Sequence, residues 1–205
     1  MEQEQELTGT TILAFKYEDG IMFAADSRTT RGQFVACHYS DKITQLADNI
    51  LCCRCGVASQ TQWLQRYAAK EIKKLAYLEK TGFSISKAAN LVGRLIYENK
   101  DVLRASLIMG GVDNGFEIYK IALDGTVIPT DATIAGSGSA FIYGMMDSQY
   151  RPNMPFKEAI EFATTLVRLA INRDCSSGGV VRVATIEKDK TTRRYLLEGD
   201  KVFME

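Results

Sequence analysis

Apolar positions along this chain keep two different periods, and the switches between them divide it into blocks. Thr11 to Tyr17 alternates, Asp19-Gly20 carries turn chemistry, and Ile21 to Ala25 is apolar again, so this stretch predicts a hairpin. A second pair follows at Lys42 to Leu46 and Ile50 to Gly56, joined by Ala47-Asp48-Asn49. The period then lengthens. Leu64, Ala68, Ile72, Leu75 and Leu78 predict an amphipathic helix, opened by the capping-box spacing of Ser59 and Gln62 and interrupted at Thr81-Gly82. Ile85, Ala88, Ala89, Val92 and Ile96 predict a second helix, running to about Leu103.

Strand periodicity returns at Ala105 to Val112 and Phe116 to Leu123, bridged by Asp113-Asn114-Gly115, and again at Thr130 to Ala135. A short helix from Ala140 to Tyr150 comes next. Beyond Pro152 and Pro155, a longer helix turns Ala159, Phe162, Ala163, Leu166, Leu169 and Ala170 inward, and strands Val180 to Ile186 and Arg193 to Leu197 follow. Strands joined by hairpins and separated by helix pairs predict an α+β fold: antiparallel sheets with helices outside, rather than a doubly wound sheet. With 205 residues, 46% of them hydrophobic, and no repeat or linker, one domain is expected.

Lysine plus arginine equals aspartate plus glutamate at 25 each, which gives no reason to expect nucleic acid or an anionic membrane as a partner. Met1 to Gly9 is polar and acidic, unlike a secretory signal, and no apolar run reaches membrane-spanning length. The five cysteines, Cys37, Cys52, Cys53, Cys55 and Cys175, are odd in number and crowded, which suits reduced thiols in an intracellular protein better than a disulfide framework.

Most candidate chemistries fail on the residues themselves. A histidine-based triad would have to use His38, and its neighbour Cys37 points to the opposite face of an extended stretch. Cys52 and Cys55 have redox spacing but sit in a strand pattern, and no second ligand pair completes a metal site. Gly136-Ser137-Gly138-Ser139 starts like a dinucleotide loop, yet Phe141 stands where a third glycine is needed. Neither metal nor cofactor is expected.

What remains is Thr10-Thr11-Ile12 directly after Gly9, then Ala25 to Thr30, Asp41-Lys42, Cys55-Gly56, Gly136 to Ser139, and Asp174-Cys175-Ser176-Ser177-Gly178-Gly179. In that order and spacing the chain resembles proteasome beta subunits over almost its entire length after Gly9. The resemblance implies a four-layer αββα sandwich, the N-terminal nucleophile hydrolase fold, spanning residues 10–205 behind a prosegment, 1–9, removed between Gly9 and Thr10. It also implies catalytic roles for Thr10, Asp26 and Lys42, an oxyanion donor at the Gly56 backbone, and Ser139, Asp174 and Ser177 around the threonine amine. The implied setting is the cytosol and nucleus. The implied partners are the other beta subunits, an alpha-subunit ring, regulatory caps and unfolded polypeptide.

The chemistry suits these residues. A threonine hydroxyl needs a base. Freed from Gly9, Thr10 would carry its own in an α-amine of reference pKa roughly 7.7 to 8.0. Lys42, held charged by Asp26, would lower that value further.

By the same resemblance, the pocket for the residue before the scissile bond has Arg54 at its base and Thr29, Thr30, Ser40, Thr44 and Ala58 around it. A guanidinium there suits a carboxylate, so the most similar members are the caspase-like ones, which cut after acidic residues. Three other readings compete: a beta subunit that is purely structural or differs in specificity, a bacterial two-ring protease, and a stand-alone amidohydrolase. Intact Gly9, Thr10, Asp26 and Lys42 argue against a purely structural role.

Overall fold

The computed structural model describes residues 9–79, 83–198 and 201–204. The helix interruption expected at Thr81-Gly82, and all of the expected prosegment except Gly9, lie outside them. Both predicted N-terminal hairpins form: β1 (Ile12–Tyr17) with β2 (Gly20–Ala25), and β5 (Ile43–Ala47) with β6 (Ile50–Gly56). Between them lies a small ribbon, β3 (Thr29–Arg31) and β4 (Phe34–Cys37). Helices α1 (Ala58–Glu79) and α2 (Ile85–Glu98) come next, then β7 (Ala105–Val112), β8 (Phe116–Ile121), β9 (Val127–Thr130) and β10 (Ala132–Ala135). A 3-10 turn at Ser137–Phe141 leads into α3 (Tyr143–Gln149) and α4 (Phe156–Arg173), followed by β11 (Val181–Glu187), β12 (Thr192–Glu198) and β13 (Lys201–Met204).

The strands make two antiparallel sheets, ordered β10-β1-β2-β11-β12-β13 and β5-β6-β7-β8-β9. They stack face to face. Ile12, Ala14, Ile21 and Phe23 of the first meet Leu51, Cys53 and Ile108 of the second. Alternate residues point the other way: Leu13, Phe15, Met22 and Ala24 pack under Phe162, Leu166 and Ala170 of α4, while Cys52, Leu107 and Met109 pack under Leu64, Ala68, Ile72, Val92 and Ile96 of α1 and α2. Strands covered on both faces become continuously apolar, which is why β2 and β6 are almost uninterrupted apolar runs although their sheets are antiparallel, and why β1, expected to alternate, is buried at every position except Lys16. The predicted helix-sheet-sheet-helix sandwich is the observed fold. Phe15, fully buried between sheet and helix, is worth about 3–5 kcal/mol against alanine.

Several boundaries differ from the expectations. Ser59 lies inside α1 rather than capping it, and Thr61 instead bonds back to the Val57 and Ala58 carbonyls. Leu78 is 64% exposed, because it falls off the stripe set by Leu64, Ala68 and Ile72. Helix α2 stops at Glu98, where Asn99 takes over the cap and its side chain bonds the Leu95 carbonyl. The single strand expected at Thr130 to Ala135 is two strands in different sheets. Pro129, which cannot donate to a ladder, sits on edge strand β9, and the chain crosses to the other sheet at Asp131.

Candidate active site

Thr10 precedes β1, Asp26 follows β2 and Lys42 precedes β5, so the open ends of strands from both sheets bring the three side chains to one point. All three are buried, with at most 5% of their surface exposed. The Lys42 ammonium uses its three N–H groups on three acceptors: Asp26 Oδ1 at 2.7 Å, the Gly9 carbonyl at 3.1 Å and Thr10 Oγ1 at 3.2 Å. The Thr10 hydroxyl in turn donates to the Gly9 carbonyl at 2.6 Å.

The Asp26 carboxylate is fully satisfied. Oδ1 accepts Lys42 and the Thr11 N–H at 2.9 Å, while Oδ2 accepts the Gly178 N–H at 3.0 Å and the Arg28 N–H at 3.2 Å. Burial pulls the Lys42 ammonium below the ordinary lysine range, and the Asp26 charge pulls the other way.

A second carboxylate organises the other side of Thr10. Asp174 Oδ2 accepts from the hydroxyls of Ser177 at 2.6 Å and Ser137 at 2.7 Å, and Ser137 Oγ accepts the Thr10 N–H at 3.1 Å. The Thr11 hydroxyl bonds Ser177 at 2.8 Å. The structure thus puts Ser137, not the expected Ser139, against the Thr10 nitrogen. Strands β1 and β10 pair Ile12 with Ala135, and extending that antiparallel register by two residues puts Ser137 opposite Thr10. Ser139 lines the same cleft from farther along the 3-10 turn.

The cleft beside Thr10 has a volume of about 430 Å³ and is walled by Gly56, Gly136, Ser137, Lys120, Leu123 and Tyr143, among others. Gly56 sits at its edge with φ +117°, and a Cβ there would fall 2.1 Å from the Arg104 carbonyl oxygen, so the position requires glycine.

None of the expected specificity residues lines this cleft. Thr29 and Ser40 share a hydroxyl bond at 2.7 Å, Thr30 accepts the Gly9 N–H at 3.0 Å, Thr44 donates to Gln65 at 3.0 Å, and Ala58 opens α1. Arg54 is turned toward α1, 5% exposed, donating to Thr61 Oγ1 at 3.3 Å and the Asp41 carbonyl at 3.0 Å. Burial lowers its pKa, opposed chiefly by the Asp41 charge.

The thiols do not form a site. Cys52 faces the helices and Cys55 the other sheet, and burial pushes them up to about 12 and about 11, leaving both protonated. His38 is exposed, and among the described residues no histidine, cysteine and carboxylate cluster could hold a metal.

Residues 6–186 match the family described as Proteasome subunit. Over 202 residues, 98% of each chain, the sequence is 42% identical to the "Probable proteasome subunit beta type-1" of Encephalitozoon cuniculi. It is 44% identical over 193 residues to the protein of the same name from Schizosaccharomyces pombe, covering 91% of this chain and 84% of the relative. The Arabidopsis thaliana "Proteasome subunit beta type-6" is 41% identical over 196 residues, with 95% and 84% covered. With two stacked antiparallel sheets between helix layers, a family match over residues 6–186 and relatives covered over most of their length, the chain belongs to the proteasome subunit family, among its beta-type members.

Proposed function

We propose that this beta-type subunit of the 20S core is a threonine endopeptidase that releases its own nucleophile and cuts after acidic residues. The observation that carries the reading is the Lys42 ammonium, bonded at once to Asp26, Thr10 Oγ1 and the Gly9 carbonyl.

Release comes first. Thr10 Oγ attacks the Gly9 carbonyl carbon while Lys42 steadies the oxygen. The C–O bond forms, the Gly9–Thr10 C–N bond breaks, and water hydrolyses the resulting ester, leaving a carboxylic acid on Gly9 and a free amine and hydroxyl on Thr10. Glycine at position 9 is what permits the approach: a Cβ there would lie 2.0 Å from the Ser176 carbonyl oxygen.

The same atoms then turn over substrate. The freed α-amine, steadied by Ser137 and held below its reference range of roughly 7.7 to 8.0 by the nearby ammonium, takes the Thr10 hydroxyl proton. Oγ adds to the substrate carbonyl, and the Gly56 N–H stabilises the oxyanion. The amine passes its proton to the departing nitrogen, and water hydrolyses the acyl-threonine ester. For specificity, Arg54 is a buried cation whose described acceptors are a hydroxyl and a carbonyl, with the Asp41 charge nearby but not bonded to it, so a substrate carboxylate would supply a direct ionic partner.

The test is a Thr10→Ala subunit assembled into core particles. Hydrolysis of peptides ending in glutamate should disappear while assembly persists; unchanged hydrolysis would refute the proposal.

A further inference from the structure

Lys120 stands in the wall of the Thr10 cleft and has no part in the chemistry above. It is half-buried on β8, its ammonium 3.2 Å from both the Ile134 carbonyl and the Tyr143 hydroxyl and 5.9 Å from the Tyr143 ring centre. All of these are neutral partners. Among the described residues no carboxylate pairs with it, and the two acidic residues nearest in sequence bond elsewhere: Glu117 accepts from Tyr119, and Asp124 from Thr126. The rest of that wall is largely apolar: Ala122, Leu123, Ala135 and the Tyr143 ring. A short hydrocarbon stem ending in an anion fits such a surface.

The side of the scissile bond follows from the proton. Whatever group protonates the departing amine must lie on the leaving-group side of the substrate carbonyl. In the reading above that group is the Thr10 nitrogen, which lies 3.1 Å from Ser137 Oγ, and Ser137 belongs to this cleft. Arg54 does not line it and instead points toward α1. We infer that the cleft is a leaving-group subsite in which Lys120 selects an acidic side chain just after the scissile bond. Together with Arg54 this makes the enzyme a reader of paired acids, one on each side of the cut. The inference rests on Thr10 being the nucleophile.

The experiment uses assembled core particles and internally quenched peptides with glutamate before the cut and glutamate, glutamine or lysine after it. Product masses identify the bond, and activity is the part lost in Thr10→Ala particles. The wild type should rank Glu above Gln above Lys, with Glu over Lys by about three- to fivefold in kcat/KM, the range of one partly screened ion pair. In Lys120→Glu particles the order should invert.

Equal rates for the three peptides, or the same ranking in both particles, would overturn the inference. So would a preference that follows an acid two residues before the cut rather than the one after it. If the variant fails to assemble, the wild-type ranking at low and at about 1 M salt decides, because an ionic preference must shrink as the Debye length falls to about 3 Å. A peptide with glutamate joined to a small fluorogenic amine separates the two readings. Its Thr10-dependent cleavage alongside equal rates above would leave the nucleophile intact and remove only the subsite.

Discussion

Lys42 and Arg54 are both buried cations carried by the β5–β6 region, and burial lowers the proton affinity of both. Their surroundings differ in one respect. Lys42 has a carboxylate at 2.7 Å that is itself held by three further N–H donors, so its charge is matched within the fold. Arg54 bonds a threonine hydroxyl and a backbone carbonyl, feels the Asp41 charge, and forms no ion pair among the described residues. A buried charge without a direct partner is costly, and such charges cluster at functional sites. On the proposed function, the first charge serves the chemistry and the second is left for recognition.

The largest break in that contrast is Lys42→Met. It strands the Asp26 carboxylate and should cost about 3–5 kcal/mol of stability. Peptide hydrolysis should fall by about 10² to 10⁴. Thermal unfolding and turnover of assembled particles check the two effects.

Arg54→Leu should be milder on the fold but selective in its kinetics. The kcat/KM for cleavage after glutamate should drop by about 10², the loss of a partner for a desolvated charge, while cleavage after leucine rises. Equal losses on both substrates would return Arg54 to a packing role.

Ser137→Ala should slow turnover by about tenfold and Ser139→Ala by much less, because only the first bonds the Thr10 nitrogen. The smallest effect belongs to Arg194→Ala. Arg194 pairs with Asp41 at 2.6 Å, and the Asp41 carbonyl holds Arg54, but the pair is partly exposed, so selectivity for glutamate should weaken by about twofold. Peptide panels measure both.

These effects follow what the sequence could and could not announce. Turn chemistry at Asp19-Gly20 and Asp113-Asn114-Gly115 set hairpins that the structure contains, and apolar stripes placed α1, α2 and α4. Boundaries failed where local signals were ambiguous. Val102 and Leu103 lengthened the apolar pattern of α2 past its Asn99 cap, and Asp131 gave no warning that the chain changes sheets there. At the site, the motif order put Thr10, Asp26 and Lys42 on one short list, and the structure brings Lys42 within hydrogen-bonding distance of both Asp26 and Thr10. Ser137 was missed because choosing between two serines in Gly136 to Ser139 requires strand register, a tertiary quantity. Lys120 was invisible for a similar reason: on β8 it reads as an outward lysine until the other sheet's edge closes over it.

The central claim, that Thr10 becomes a nucleophile by separation from Gly9, is tested most directly by the intact mass of this chain in native assembled particles. The account predicts a chain that begins at Thr10, and a Gly9→Val chain that keeps its N-terminal segment. A native chain still carrying Gly9 in active particles would contradict it.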